Sequence, residues 1–128
     1  ISPTQPIRVM LVDDHAMVRR GLAIFLKVFD DLRLAGEAES GIDAIKLCSV
    51  ILPDVVLMDM VMPNIDGVKA TQAIRKYDPN AKIIVFSSIE NKHIVNDAIK
   101  FGATNYILKP FDSGTAVMAV SKIIANQK

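Results

Sequence analysis

Three aspartates follow two apolar runs of the chain, at positions where they could hold a metal ion. Asp13 and Asp14 come directly after IRVMLV, and Asp59 comes directly after DVVLM. If the two runs are neighbouring strands, the three carboxylates converge, and such a cluster becomes stable only when a cation lies within it. A small set of oxygen ligands suits Mg²⁺, which prefers to share its shell with a phosphate. The three acids therefore predict a magnesium site.

Two further apolar runs end in groups that suit contact with a phosphoryl oxygen. KIIVFSS ends in Ser87 and Ser88, whose hydroxyls can donate hydrogen bonds, and YILKP contains Lys109, whose ammonium can neutralise the same group. Carboxylates, a hydroxyl and a lysine together favour in-line phosphoryl transfer onto a side chain. Each also has an ordinary alternative: a lone aspartate can cap a helix, a lone lysine is usually solvated, and a serine at a strand end is common.

The apolar pattern predicts the elements that would bring these groups together. Short runs rich in Val, Ile and Leu predict buried strands at 7–12, 32–36, 55–58, 83–86 and 106–108. Helical spacing predicts five helices, with apolar positions at Val18, Leu22, Phe25 and Phe29; Ile45, Cys48 and Leu52; Val68, Thr71 and Ile74; Ile94, Val95, Ala98 and Ile99; Val117, Val120 and Ile124. Alternating strands and helices imply a parallel sheet, whose ligands bind beyond the carboxyl ends of the strands.

Local start and stop signals agree with these helices. Ser40-Gly-Ile-Asp43 is similar to a capping box, and Asp66 and Asp112 can cap the helices that follow them. Asp78-Pro79 predicts a helix end.

Length and composition limit the class of protein. The chain has 128 residues, of which 51% are hydrophobic and 23% charged, so we expect one globular domain with a core from about 7 to 126. A net charge of +1 gives no argument for a nucleic-acid or membrane partner. One cysteine, Cys48, and no long apolar stretch favour a reducing, cytoplasmic location. The first residue, Ile1, suggests a processed or excised chain.

Four motifs in a fixed order resemble those of a known family. LVDD, DVVLMDMVMPNIDG, IIVFSS and GATNYILKPF are similar to the motifs of the receiver domain of two-component response regulators. The resemblance extends from about residue 7 to about residue 124. It implies an α/β fold of the CheY-like, flavodoxin-like type, with a doubly wound five-stranded parallel sheet of order 2-1-3-4-5 and helices on both faces.

The resemblance also assigns a metal and a phosphorylation site. It implies that Asp59 is the phosphoacceptor and that Asp13, Asp14 and Asp59 hold Mg²⁺ together with the backbone carbonyl of Val61. Mn²⁺ is expected to substitute for Mg²⁺.

Five further positions acquire roles by resemblance. Lys109 would bind the phosphoryl group, Ser87 would be the switch hydroxyl and Tyr106 the switch aromatic. Pro110 would follow a cis peptide bond, and Gly67 would open the turn after MPNID.

The function that the resemblance implies is a signalling switch rather than a turnover enzyme. A sensor histidine kinase would phosphorylate Asp59, and the face formed by the fourth helix, fifth strand and fifth helix would change to control a downstream effector or a covalently attached output domain. A dimer through that face is one arrangement consistent with the family, and neither direct nucleic-acid binding nor membrane binding is expected.

Val61 and Ile89 border the path of the hydrolytic water in this family, and their apolar side chains predict slow dephosphorylation.

The motifs leave the type of output open. His15 and MVRRGL resemble receivers of LuxR/NarL-type transcription factors, from which this chain could be excised. DPNAKIIV and LKPF are more similar to stand-alone chemotaxis-type receivers. His15 and His93 lack a Cys or His neighbour at metal spacing, which argues against a transition-metal role, and His15 is expected at the rim of the site.

Two other function classes share part of this chemistry. A haloacid-dehalogenase-like phosphatase also uses a carboxylate, Mg²⁺ and a lysine, but it requires a D-x-D arrangement and a cap insertion, which VDDH and the chain length do not fit. A degenerate receiver that serves only as a scaffold is disfavoured by the intact acids, hydroxyl and lysine.

Overall fold

A five-stranded parallel sheet lies at the centre of the protein. The computed structural model describes residues 6–60, 67–88, 92–109, 117–118, 120–122 and 125. Along the chain the elements are β1 (Ile7–Val12), α1 (Ala16–Leu26), β2 (Leu32–Ala38), α2 (Gly41–Ile51), β3 (Val55–Asp59), α3 (Gly67–Tyr77), β4 (Lys82–Ser88), α4 (Lys92–Lys100) and β5 (Asn105–Lys109). The described residues from 117 to 125 are also helical, at the position of the predicted fifth helix.

The strand order confirms the predicted topology. The order is β2-β1-β3-β4-β5, and every neighbouring pair is parallel. Val12 pairs with Met58, so the residues that follow β1 and the last residue of β3 lie side by side. Ser88 pairs with Lys109 at the same edge of the sheet. The carboxyl ends of four strands thus meet along one edge, as the sequence predicted.

Two apolar layers cover the two faces of the sheet. Alternate strand residues, such as Met10 and Met58, pack with buried residues of α2, α3 and α4. The intervening residues, such as Leu11 and Leu57, pack with α1 and with Val117 of the C-terminal helical residues. The strands are therefore buried on both sides, which explains their continuous apolar sequences.

The first two helices end differently from the prediction. Helix α1 ends at Leu26, and Phe25, which was predicted to lie on its apolar stripe, is 41% exposed. Phe29 lies beyond the helix and packs against the core while partly buried. Leu52 was placed on the stripe of α2, but it is the C-cap residue, with φ of 51°, and is 54% exposed. Its left-handed conformation lets its N–H bond the carbonyl of Cys48 before Pro53 prevents further helix.

Other local predictions are confirmed. Ser40 is the N-cap of α2, and its hydroxyl accepts a hydrogen bond from the Asp43 N–H at 3.2 Å. Helix α3 ends at Tyr77, directly before Asp78-Pro79. Cys48 is buried and free. The proposed caps Asp66 and Asp112 lie outside the described residues. Within the part of the chain that the structure describes, no helix has the length and apolar character needed to cross a bilayer.

Candidate metal centre

Three aspartates and one histidine meet at the carboxyl edge of the sheet. Asp13 follows β1 and Asp59 ends β3, and these strands are neighbours. Asp13 and Asp59 are almost fully buried, whereas Asp14 and His15 are exposed. One ligand atom from each of the four residues lies within 4.8 Å of the others. The structure thus brings together the three acids that the sequence predicted, and it adds His15.

Hydrogen bonds to neighbouring elements fix the backbone at Asp13 and next to Asp59. The Asp13 N–H donates to the carbonyl of Ala38 on β2 at 3.1 Å, and Nη1 of Arg19 donates to the Asp13 carbonyl at 2.5 Å. After β3, the Met60 N–H donates to the carbonyl of Phe86 on β4 at 3.1 Å. The backbone is therefore bonded to a neighbouring element at Asp13 and at the residue that follows Asp59.

The Asp13 carboxylate has one satisfied and one unsatisfied oxygen. Its Oδ1 accepts a hydrogen bond from the backbone N–H of His15 at 2.8 Å and lies 3.0 Å from His15 Nδ1. Its Oδ2 is the one buried side-chain N or O atom without a hydrogen-bond partner among the described residues. Because a buried, unpaired carboxylate oxygen is costly, and two more carboxylates stand beside it, the residues present fit a divalent cation with oxygen ligands.

His15 occupies a position between the two adjacent acids. Its Nδ1 lies 3.0 Å from Asp13 Oδ1 and 3.1 Å from Asp14 Oδ1, and its side chain is 66% exposed. His15, not an aspartate, is the N-cap residue of α1, although Asp13 does accept its backbone N–H. The rim position predicted for His15 is consistent with this exposure. The close contact of His15 with both acids was not predicted from the sequence.

The backbone of the predicted phosphoryl-binding residues lies at the same edge of the sheet as the acids. Ser87 and Ser88 end β4, Lys109 ends β5, and Ser88 pairs with Lys109. Val61, whose carbonyl was predicted as a metal ligand, and Pro110 lie outside the described residues.

Tyr106, the predicted switch aromatic, lies on β5 with its side chain 45% exposed. Because β5 is the last strand in the sheet order, Tyr106 lies on an outer strand of the sheet.

Gly67 begins α3 and allows a close approach beside Asp59. Its N–H donates to the Met60 carbonyl at 3.0 Å. A Cβ at this position would lie 2.7 Å from the Asp59 carbonyl oxygen, 2.7 Å from Met60 Cα and 2.5 Å from Met60 Cε. Since two of these atoms belong to the backbone, only glycine fits without displacing the segment that carries Asp59.

The match to a family model defines the class of protein. Residues 9–121 match the model of the response regulator receiver domain. The chain therefore belongs to this family of two-component response regulators, for which a phosphoryl-transfer switch is the general role.

Similar proteins include both long and short response regulators. The chain is 38% identical over 122 residues to the response regulator protein VraR of Staphylococcus saprophyticus, covering 95% of this chain and 58% of VraR. It is 42% identical over 117 residues to the chemotaxis protein CheY of Thermotoga maritima, covering 91% of this chain and 96% of CheY. The chain thus spans a little over half of VraR but nearly all of CheY.

A solved structure shows the same fold. The CheX-CheY-BeF3-Mg²⁺ complex from Borrelia burgdorferi contains a chain that is 25% identical to this one, with a TM-score of 0.84 over 94% of this chain and 90% of that one. The strand order and the flanking helices are therefore those of a CheY-like receiver fold.

Proposed function

We propose that Asp59 is the phosphoacceptor of this receiver domain and that a sensor histidine kinase or a small phosphodonor supplies the phosphoryl group. One observation carries the proposal: Asp59 ends the central strand of the sheet, almost fully buried, with a carboxylate oxygen within 4.8 Å of ligand atoms of Asp13 and Asp14. A carboxylate at this place can react only with a group that enters from the carboxyl edge, where the remaining acids would hold the balancing cation.

Asp13, Asp14 and Asp59, with the carbonyl of Val61, would hold Mg²⁺. When bound, Mg²⁺ neutralises part of the negative charge of the acids and of a phosphoryl group. The solved complex from Borrelia burgdorferi, which contains CheY with BeF3 and Mg²⁺, supports this assignment for the family. Mn²⁺ is expected to replace Mg²⁺ because it accepts the same oxygen ligands.

Transfer forms one bond and breaks one. An Asp59 carboxylate oxygen attacks phosphorus, and the phosphorus–nitrogen bond of the kinase phosphohistidine breaks in line, which returns the electron pair to the imidazole nitrogen. Lys109, at the end of β5, would neutralise a phosphoryl oxygen, and the Ser87 hydroxyl would donate a hydrogen bond to another. Positioning and charge neutralisation account for the reaction, and the product stays on the domain, so no free product is released in this step.

The output would be a change in the surface formed by α4, β5 and the C-terminal helical residues. Apolar side chains already exposed in this region include Ile99 and Phe101 at the end of α4 and Tyr106 on β5. Movement of Ser87 toward a phosphoryl group would let Tyr106 turn inward, and the populations of two surface arrangements would shift. A downstream effector, an attached output domain or a second copy of the chain would recognise one of them.

Intact-mass spectrometry after treatment with acetyl phosphate and Mg²⁺ tests the phosphoacceptor. The native protein should gain the mass of one phosphoryl group, and Asp59→Asn should gain none. Asp30→Asn is the matched control, because Asp30 is an exposed aspartate in the turn before β2, at the opposite edge of the sheet. Full labelling of Asp59→Asn would contradict the proposal.

Two further outcomes would indicate the other function classes. Continuous release of phosphate from many phosphate esters would indicate a phosphatase. Failure of the native protein to bind either Mg²⁺ or beryllofluoride would indicate a scaffold without a phosphorylation site.

A further inference from the structure

His15 lies close enough to two acids for its imidazole nitrogen to share a metal ion with them, a role that the proposed magnesium site does not include. Its Nδ1 lies 3.0 Å from Asp13 Oδ1 and 3.1 Å from Asp14 Oδ1. Two ligand atoms on one ion, each with a bond of about 2.1 Å, are separated by about 3.4 Å in a tetrahedral shell and by about 3.0 Å at right angles in an octahedral shell. The imidazole nitrogen therefore lies within a few tenths of an ångström of the spacing that a neighbouring metal ligand would have.

The remaining geometry also fits an ion ligated by this nitrogen. All four ligand atoms, including that of Asp59, lie within 4.8 Å of one another. Asp13 Oδ2 is buried and unpartnered beside them, which is an independent sign that a cation belongs here. Asp14 and His15 are exposed, so small rotations of these two side chains can close the remaining distance.

We propose that His15 is a nitrogen ligand that lets this centre bind a divalent transition ion of the Zn²⁺ type in competition with Mg²⁺. The proposal rests on the magnesium site of the proposed function and adds a second class of ion to it, contrary to the expectation from sequence spacing, because the fold supplies His15 with carboxylate neighbours. Imidazole binds Zn²⁺ and similar ions well, whereas Mg²⁺ prefers oxygen ligands and retains water. His15 would therefore raise the affinity of the centre for Zn²⁺ relative to its affinity for Mg²⁺.

Zn²⁺ binding would change the hydrogen bonding of the ring. Ionised carboxylates only accept hydrogen bonds, so the contacts of Nδ1 with Asp13 and Asp14 require a proton on Nδ1. When Nδ1 binds the ion through its lone pair, that proton leaves Nδ1, and the neutral ring carries its proton on Nε2. The ring is two-thirds exposed, so solvent can exchange this proton.

Calorimetric titrations with Zn²⁺ and with Mg²⁺ test the inference on the native protein and two variants. His15→Ala should weaken Zn²⁺ binding by about tenfold or more beyond any change that it causes in the Mg²⁺ affinity, because it removes a ligand of Zn²⁺ but only a hydrogen-bond partner of the acids that would hold Mg²⁺. His93→Ala is the matched control, because His93 is the second of the two histidines and is exposed on α4. It should change neither affinity. Equal losses for both ions in His15→Ala would overturn the proposal.

Nitrogen NMR of the histidine rings gives a second readout that needs no variant at position 15. Zn²⁺ should shift the ring nitrogen signal of His15, Mg²⁺ should leave it in the position of a non-ligating ring, and His93→Ala assigns the two rings. An unchanged His15 ring signal with Zn²⁺ bound would overturn the proposal.

The two proposals fail in different ways. Phosphorylation of Asp59 and Mg²⁺ binding, with Zn²⁺ affinity independent of His15, would overturn the transition-metal inference alone. Competitive binding of Zn²⁺ and Mg²⁺, with Zn²⁺ affinity dependent on His15, in a protein whose Asp59 accepts no phosphoryl group would overturn the phosphoacceptor proposal alone.

Discussion

Nη1 of Arg19 donates a hydrogen bond to the Asp13 backbone carbonyl at 2.5 Å, while Nε of the same guanidinium pairs with Glu37 Oε1 at 3.2 Å. The Arg19 side chain is only 16% exposed. One arginine of α1 thus connects the end of β2 to the segment that presents Asp13, one of the acids of the candidate metal centre. Its fixed, planar group suits this double contact.

We expect Arg19→Ala to weaken Mg²⁺ binding by roughly tenfold. The loss follows because the Asp13 carbonyl loses a charged hydrogen-bond donor, and removing groups that orient metal ligands typically has effects of this size. Arg19→Lys should recover part of the affinity, because lysine retains the charge without the planar donor pair. Arg20→Ala, a change at the exposed neighbouring arginine, is the control. If Mg²⁺ titration calorimetry gave equal affinities for Arg19→Ala and Arg20→Ala, Arg19 would not position the site.

Gly67→Ala should destabilise the protein by about 2 kcal/mol, because overpacking against fixed atoms carries a cost of this size. The added Cβ would meet the Asp59 carbonyl oxygen and Met60 Cα, which cannot move without the backbone. Gly36→Ala is the matched comparison: its Cβ would meet Ile51 Cδ1 at 2.5 Å and Leu47 Cδ2 at 3.2 Å, which are the ends of flexible side chains. Urea unfolding should therefore give a larger loss for Gly67→Ala. A larger loss for Gly36→Ala would refute this explanation.

Periodicity could predict the sheet because its strands are apolar on both faces, and β1 has the predicted bounds of Ile7–Val12. The predicted end of β2 at residue 36 was too early, since the strand continues to Ala38. The β1–β2 register shifts between Val9 and Met10, which pair with Leu34 and Gly36 and so skip Ala35. Such an irregularity depends on pairing between strands, and a single strand sequence does not contain it.

As with the sheet, only part of the candidate site could be predicted from the sequence. Asp13, Asp14 and Asp59 could be found because they directly follow two apolar runs and because the carboxyl ends of parallel strands converge. The contacts of His15 and Arg19 with Asp13 could not be predicted in this way. His15 reaches the acids through the shape of the turn before α1, and Arg19 binds a backbone carbonyl, an acceptor that every residue has.

The buried thiol of Cys48 should make the stability of the protein fall at alkaline pH. Burial, reinforced by the negative charge of Asp78, raises the pKa of Cys48 from 9.0 to about 12. Above about pH 9 the unfolded chain loses the thiol proton while the folded protein keeps it, so the free energy of unfolding decreases as pH rises toward 12. The slope from this group is at most about 1.4 kcal/mol per pH unit.

Urea unfolding at about pH 8 and about pH 10 of the native protein and of Cys48→Ala isolates this contribution. The variant should lose less stability between the two pH values, because its other titrating groups are the same. Identical losses in the two proteins would show that the thiol ionises as readily in the folded state as in the unfolded state.

The lifetime of the phosphorylated state should be long. Val61 and Ile89 stand two residues beyond Asp59 and Ser87, at positions that, by resemblance to the family, border the path of the attacking water. Neither side chain can orient a water molecule or accept its proton, so general-base assistance is absent from these positions. Ile89→Glu should accelerate loss of the phosphoryl group by roughly tenfold or more by supplying a carboxylate. Ile89→Leu, which stays apolar, should decay like the native protein. A mass-spectrometric time course after removal of the phosphodonor measures all three rates, and rapid unaided decay of the native protein would contradict the expectation.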